Sequence, residues 1–451
     1  MSSSSFLESL PLELIQQILC FLPDISSLLS AVLASSKVYA AFIQVQVSIT
    51  SRVVRNLIHE DVLPEAVAAW KSSCLVAPFT RSNIEDFVND QLRSRQDPAL
   101  LSWTLSQALQ LGHLQRHVAH LSLDFASHCS ENPVAEVDVK LFWEGFPTPT
   151  EIRRIQRTLY RFEIYCNLFR ARKKPPAAAF DVDEHRTVFF SKFSPWENEQ
   201  LGCIHDYLFH KASPVFIEIT EHDVTWGATG IQDAHELDSP YIQHILSLGL
   251  AKLHAIAVAK TYDERRRLFY TPYPAANTEF LREGLILANE RFDGVQLSEY
   301  HDRHGGEGRA EHLFAPFFRE PDTGPSEAWS WAHQHETREA FVYSKGTKGL
   351  RERGYVFWDR SRLETWPVFQ SPWVSPYRYY EIEEVRTGPY REKCPRRAQI
   401  YALGGRGWWS PSDETKVIYP PGQSPPPVPH QGKGKTSQQP ADDFQRVRGY
   451  I

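Results

Sequence analysis

Between Ser9 and Phe42 apolar residues return at helical spacing in three short bursts. Leu14, Ile15, Ile18, Leu19 and Leu22 fall on one face of a first helix, with Glu13, Gln16 and Gln17 opposite. Pro11 suits the first turn, where an N–H would have no partner, and Glu13 stands near the positive end of the helix dipole. Pro23 and Asp24 stop this helix. Leu28, Leu29, Val32 and Leu33 give a second apolar face, and Val38 to Phe42 a third. A unit below roughly 40 residues rarely stands without a metal, a disulfide or a partner, so this much apolar surface needs cover.

The same pattern predicts more helices downstream. One covers Leu63 to Trp70, with Pro64 in its first turn. Ser82-Asn83-Ile84-Glu85 reads as a capping box that starts the next. A third begins at Asp97-Pro98 and is interrupted at Gly112. Thr148-Pro149-Thr150-Glu151 and Ser194-Pro195-Trp196-Glu197 carry the same cap chemistry, and Ser239-Pro240 begins an apolar helix through Ile256. Lys173-Lys174-Pro175-Pro176 reads as a linker. Beyond about Pro321 lie seven of the twelve tryptophans among many Pro and Gly residues, which predicts an irregular, aromatic-packed region with Tyr355 to Trp358 as a candidate strand. The stretch from Pro420 to Asp443 has almost nothing to bury, so residues 420–451 are expected to form a disordered tail.

Several positions in the first 40 residues form a known pattern. Leu10-Pro11-Leu12-Glu13-Leu14, Ile18-Leu19, Leu22-Pro23-Asp24, Leu28 and Val32 resemble the F-box, the module by which substrate receptors dock on the Skp adaptor of cullin–RING ubiquitin ligases. Tyr39 and Phe42 stand in the third helix, where the family usually carries a Trp and basic residues. The resemblance implies an adaptor-binding set of Leu10, Pro11, Leu14, Ile15, Ile18, Leu19, Leu22, Leu28 and Val32, with a Skp-type adaptor, a cullin and a protein target as partners. Thr148 to Arg170, Ser194 to Glu199 and Gly354 to Asp359 further resemble landmarks of fungal F-box-like proteins whose substrate is generally unassigned. The plainer alternative is an N-terminal helical hairpin that closes the core of the domain behind it.

The expected fold is therefore mainly α. A three-helix F-box-like module spans 6–50, and a large helical domain spans 51–174 and 180–320. An aromatic-rich region at 321–419 and the tail complete the chain. Within the aromatic region Trp329, Trp331, Trp358, Trp366 and Trp373 are the candidates for holding a target, since tryptophan dominates binding hot spots.

Composition narrows the function. A hydrophobic content of 42% is ample for a large core, and a net charge of −6 is mild for 451 residues, which argues against general nucleic-acid binding. Six cysteines without short spacings argue against a zinc site or a disulfide scaffold and suit a reducing cytoplasm or nucleus. No basic signal region opens the chain, and the run Leu248 to Ala259 is too short to span a bilayer.

Candidate chemistry is sparse. His113, His117 and His120 share a helix face, but no carboxylate or cysteine stands with them, so a packed histidine cluster is the expectation. His301-Asp302-Arg303-His304 and His333-Gln334-His335-Glu336 fall in stretches read as loops. Arg153, Arg157 and Arg161 align on one face, read as a solvated face pairing with acids such as Glu144 or Glu163. Gly404-Gly405-Arg406-Gly407 lacks phosphate-loop spacing, and no nucleophile elbow, metalloprotease pair or kinase signature is present. No cofactor, metal or catalytic residue is expected. The expected activity is non-catalytic substrate recognition for a ubiquitin ligase; a scaffold that binds the adaptor outside any ligase, and an enzyme of unrecognised fold, are the other readings.

Overall fold

The computed structural model describes residues 9–75, 80–92, 101–131, 146–170, 180–228, 240–269, 280–289, 295–303, 310–366, 368–374, 394–423 and 425. The fold is mainly α. Four short helices open it: α1 (Leu12–Cys20), α2 (Ile25–Ala34), α3 (Ser36–Gln44) and α4 (Gln46–Leu57). Then come α5 (Leu63–Ser73), α6 (Arg81–Leu92), α7 (Leu105–Glu131), α8 (Pro149–Phe169), α9 (Val182–Val188), α10 (Pro195–His222), α11 (Pro240–Ser247) and α12 (Leu250–Val258). Shorter helices follow, among them Gly324–His333, Lys348–Glu352 and Pro395–Ala402. An antiparallel hairpin pairs β1 (Arg406–Gly407) with β2 (Val417–Ile418).

Helix α8 is the centre. It packs against α5, α7 and α10, and Ile155, Leu159, Tyr160, Phe162, Ile164 and Tyr165 are all buried around its circumference. A helix apolar on several sides belongs inside a protein. Its start is locally encoded: Thr148 Oγ1 accepts from the Glu151 N–H at 3.2 Å, and Glu151 accepts from the Thr148 N–H at 2.7 Å. The start of α10 repeats the device, with the N–H and hydroxyl of Ser194 both donating to Glu197 at 3.0 and 2.9 Å. Both capping boxes stand where the sequence placed them.

Other boundaries differ. The cap of α6 is Thr80, whose hydroxyl accepts from the Asn83 N–H, while Ser82 bonds Asp86 one turn on. Thr104 caps α7, and that helix runs through Gly112, with Leu111 and Val118 buried on either side. The apolar helix expected from Ser239 through Ile256 is two helices bent by 111° at Gly249, whose φ of +89° only glycine adopts easily. Glu163 then caps α12, accepting from the Leu250 N–H at 2.7 Å, and burial raises its carboxyl above the ordinary value. Among the described residues no single helix is long and apolar enough to cross a membrane. Tyr355 to Trp358 forms turns, not a strand, because it lies across the ends of α8 and α10 and spends its carbonyls on their side chains. The linker Lys173 to Pro176, Asp97-Pro98, Glu144, His304 and the tail beyond Pro425 lie outside the described residues.

Packing does not divide at residue 50. One hydrophobic core runs from Ile15 to Val368, and the first helices join it directly: α2 and α4 both lie against α7, with Ile25 and Leu57 beside Gly112. A small second core, built on Val224, Ile400 and Trp409, holds Pro395–Ala402 and the hairpin to the end of α10.

The basic stripe on α8 is internal. Arg154, Arg157 and Arg161 are buried, and only Arg153 is partly exposed, paired with Asp61 at 2.9 Å. Arg154 holds Glu320, Asp322 and Asp359 at 2.7, 3.2 and 2.7 Å. Arg157 reaches Glu320 at 3.3 Å and lies over the Phe318 ring, and Arg161 meets Glu197 at 2.9 Å. The expected solvated face is thus a set of inward cations, whose carboxylates come from residues far along the chain.

Candidate functional site

The N-terminal helices leave apolar surface uncovered. In α1 the expected single apolar face divides into two. Ile15 and Leu19 are buried and pack inward with Leu28 and Val32. Leu14, Ile18 and Phe21, at i, i+4 and i+7, point the other way and are 44%, 43% and 80% exposed. Leu10 and Leu22 are half-buried and Pro11 is exposed. Of the nine expected adaptor-binding residues, Ile15, Leu19, Leu28 and Val32 therefore hold the helices together and offer a partner nothing. The outward stripe gains Phe21, which the sequence reading missed although it stands seven residues after Leu14. Leu33 at the end of α2, and Tyr39 and Ile43 on α3, are also exposed.

Local chemistry fixes this arrangement. Asp24 caps α2, accepting from the Ser27 N–H at 2.8 Å, and that bond helps hold its carboxyl below the usual range. Ser35 caps α3 through the Lys37 N–H. Gln16 donates to Ala41 O at 3.0 Å and ties α1 to α3. At the α3–α4 corner a shallow open groove of about 640 Å³ is lined by Ile43, Val45, Val47, Ser51, Arg55 and Leu101, among others.

The five tryptophans separate. Trp329 and Trp358 are core residues whose indole N–H groups donate to Phe341 O and Arg353 O, so neither meets a target. Trp331 and Trp373 are half-buried with rings 5.6 Å apart, and Trp366 is half-buried with the Arg362 guanidinium over it.

Comparison with protein-family models, curated proteins and solved structures finds no match.

Several titratable groups make packing or hydrogen-bond contacts inside the protein. His117 and His120 each lie 4.7 Å, ring to ring, from His254 of α12; burial, then the neighbouring charges of His254 and Arg116, bring His117 down to about 4. Among the described residues no group of His, Cys, Asp and Glu is arranged to hold a metal. His333 is not in a loop: it ends a helix, is buried, and bonds Glu336 and the Tyr355 hydroxyl. His301 likewise falls within a short helix, Leu297–Arg303.

The densest buried cluster ties α10 to the irregular region. Arg351 donates to Asp206 at 2.8 Å, Tyr343 donates its hydroxyl to Asp206 at 2.6 Å, and Glu199 accepts from Thr347 and Tyr355 at 3.1 and 3.3 Å. Although burial opposes it, the Arg351 guanidinium holds the Asp206 carboxyl well below the usual carboxylate range. Each member satisfies the others, the requirement for burying charge at all. This cluster is a fastening, whereas Leu14, Ile18 and Phe21 on α1 leave apolar surface exposed.

Proposed function

We propose that the chain is a substrate-recognition subunit that links a target protein to an SCF-type cullin–RING ubiquitin ligase, with the Leu14–Ile18–Phe21 stripe as the seat of a Skp-type adaptor. One observation carries the reading. The F-box-like stretch forms three short helices whose inner faces join the common core and whose first helix still presents three large apolar side chains in line. An exposed apolar row of this kind marks a helix-recognition surface. Catalysis would then be borrowed: the receptor raises the effective concentration of target lysines near the conjugating enzyme. Trp331, Trp366 and Trp373 remain the aromatic surface proposed for the target, and a cytoplasmic or nuclear setting goes with the reading.

The test uses the full-length chain and a purified Skp-type adaptor. Replacing Leu14 and Ile18 together by Ala removes outward surface only, so adaptor affinity should fall by at least about tenfold with little change in melting temperature. Leu19→Ala should instead unfold the chain more readily. Undiminished affinity in the Leu14/Ile18 variant overturns the assignment. If the adaptor binds but the abundance of captured partners is indifferent to ligase inhibition, the chain is a scaffold outside the ligase.

A further inference from the structure

Resting on that docking reading, we infer that Asn56 is a positioning residue for the adaptor seat, acting through Phe21. The last carbonyls of a helix have no partner within it and must find one elsewhere. Helix α1 ends without the usual glycine: Phe21 is in the right-handed region (φ −91°, ψ −1°), and Leu22 and Pro23 follow. Two carbonyls flank Phe21 at this end, those of Cys20 and Leu22. Asn56 takes both, its amide nitrogen donating to Cys20 O at 2.8 Å and to Leu22 O at 2.9 Å. Only the amino group can serve two acceptors at once, so the amide orientation is fixed by its partners.

Asn56 is itself well anchored. It lies on α4, whose Ile49, Val53 and Val54 are buried and which packs against both α1 and α7. The chain bend carrying the 80%-exposed Phe21 is thereby pinned to the body of the protein. Losing the clamp frees that bend, and a partner must then order Phe21 at its own expense.

A double-mutant cycle on the full-length chain tests this, reading the dissociation constant for a purified Skp-type adaptor by calorimetry. Asn56→Asp keeps the shape but turns two donors into a carboxylate facing two carbonyl oxygens; Asn56→Ala removes the donors without adding charge. Asn56→Asp should weaken binding by about five- to tenfold and Asn56→Ala by about threefold or more, both chains remaining folded by circular dichroism. Phe21→Ala should cost about tenfold, and Asn56→Asp added to it should cost less than about twofold more, because the residue it positions is gone. A merely structural role would give the same Asn56 loss in both backgrounds. The inference is overturned if both Asn56 variants bind like the wild type, or if the losses multiply in the double variant. Failure of the wild-type chain to bind the adaptor overturns the docking reading and this assignment together, an outcome distinct from wild-type binding that ignores Asn56.

Discussion

The guanidinium of Arg154 and the carboxylate of Asp359, 205 residues apart in sequence, meet at 2.7 Å with the arginine wholly buried. The same guanidinium donates to Phe357 O at 2.9 Å, and Glu151 on the same helix accepts from the Asp359 N–H at 3.0 Å. The Arg-rich helix and the Gly354 to Asp359 turn, two separate landmarks in the sequence, are one object in space.

Arg154→Met leaves Glu320, Asp322 and Asp359 facing an apolar side chain. Removing one partner of a buried ionic group typically costs about 3–5 kcal/mol, whereas an exposed pair is worth under about 1 kcal/mol. Denaturant titration should therefore show a large loss for Arg154→Met. Arg153→Ala, which breaks the half-exposed pair with Asp61, should lose little. Equal losses would mean that the buried cluster is not a stabilising tie.

Gly354 has φ of +61°, and a Cβ there would stand 3.0 Å from Phe125 Cζ and 3.1 Å from both Cys129 Sγ and Trp358 Cζ2. Gly354→Ala meets a backbone penalty and a crowded core at once, for a loss of about 2–4 kcal/mol. A melting temperature equal to the wild type would refute the tight turn.

His185 sets a pH dependence. It is buried, its Nδ1 lies 2.7 Å from the Tyr165 hydroxyl, and burial brings it from 6.5 to about 4 despite the opposing pull of Asp181 and Glu184. Between these two values the unfolded chain binds a proton that the folded chain refuses. The contribution is thus fully present above pH 6.5 and is lost as pH falls towards 4, amounting to about 3 kcal/mol. His117 acts in the same direction, with solvent screening reducing its share because it is only half-buried. Stability measured from pH 7.5 to 4 should fall less steeply in His185→Gln than in the wild type; parallel curves would refute the assignment.

What could be read from the sequence was local. The boxes at Thr148 and Ser194 are decided by residues three apart, and the helical spacing of Ile155, Leu159 and Phe162 is decided within one element. Several failures involve distant partners, while the shift of the α6 cap from Ser82 to Thr80 is a local one. Gly112 passes unnoticed inside α7 because buried residues on both sides hold the helix, which overrides its low propensity. Arg157 and Arg161 looked solvated because Glu320 and Glu197 are far away in sequence. Trp329 and Trp358 have the composition of a hot spot and the surroundings of a core, a difference set by what packs around them. On α1 the spacing revealed a broad apolar face but not which edge the body would cover.

The N-terminal helices lean on α7 through Ile25 and Leu57, and nothing in that contact resembles a tether. A partner seated on Leu14, Ile18 and Phe21 would take its bearing from the whole body behind them. A second partner held at the aromatic surface would meet it across a fixed span of folded protein, not within the sphere swept by a loose chain. Such a span favours some attachment points on the second partner and puts others out of reach, so selectivity would come from geometry as well as from contact.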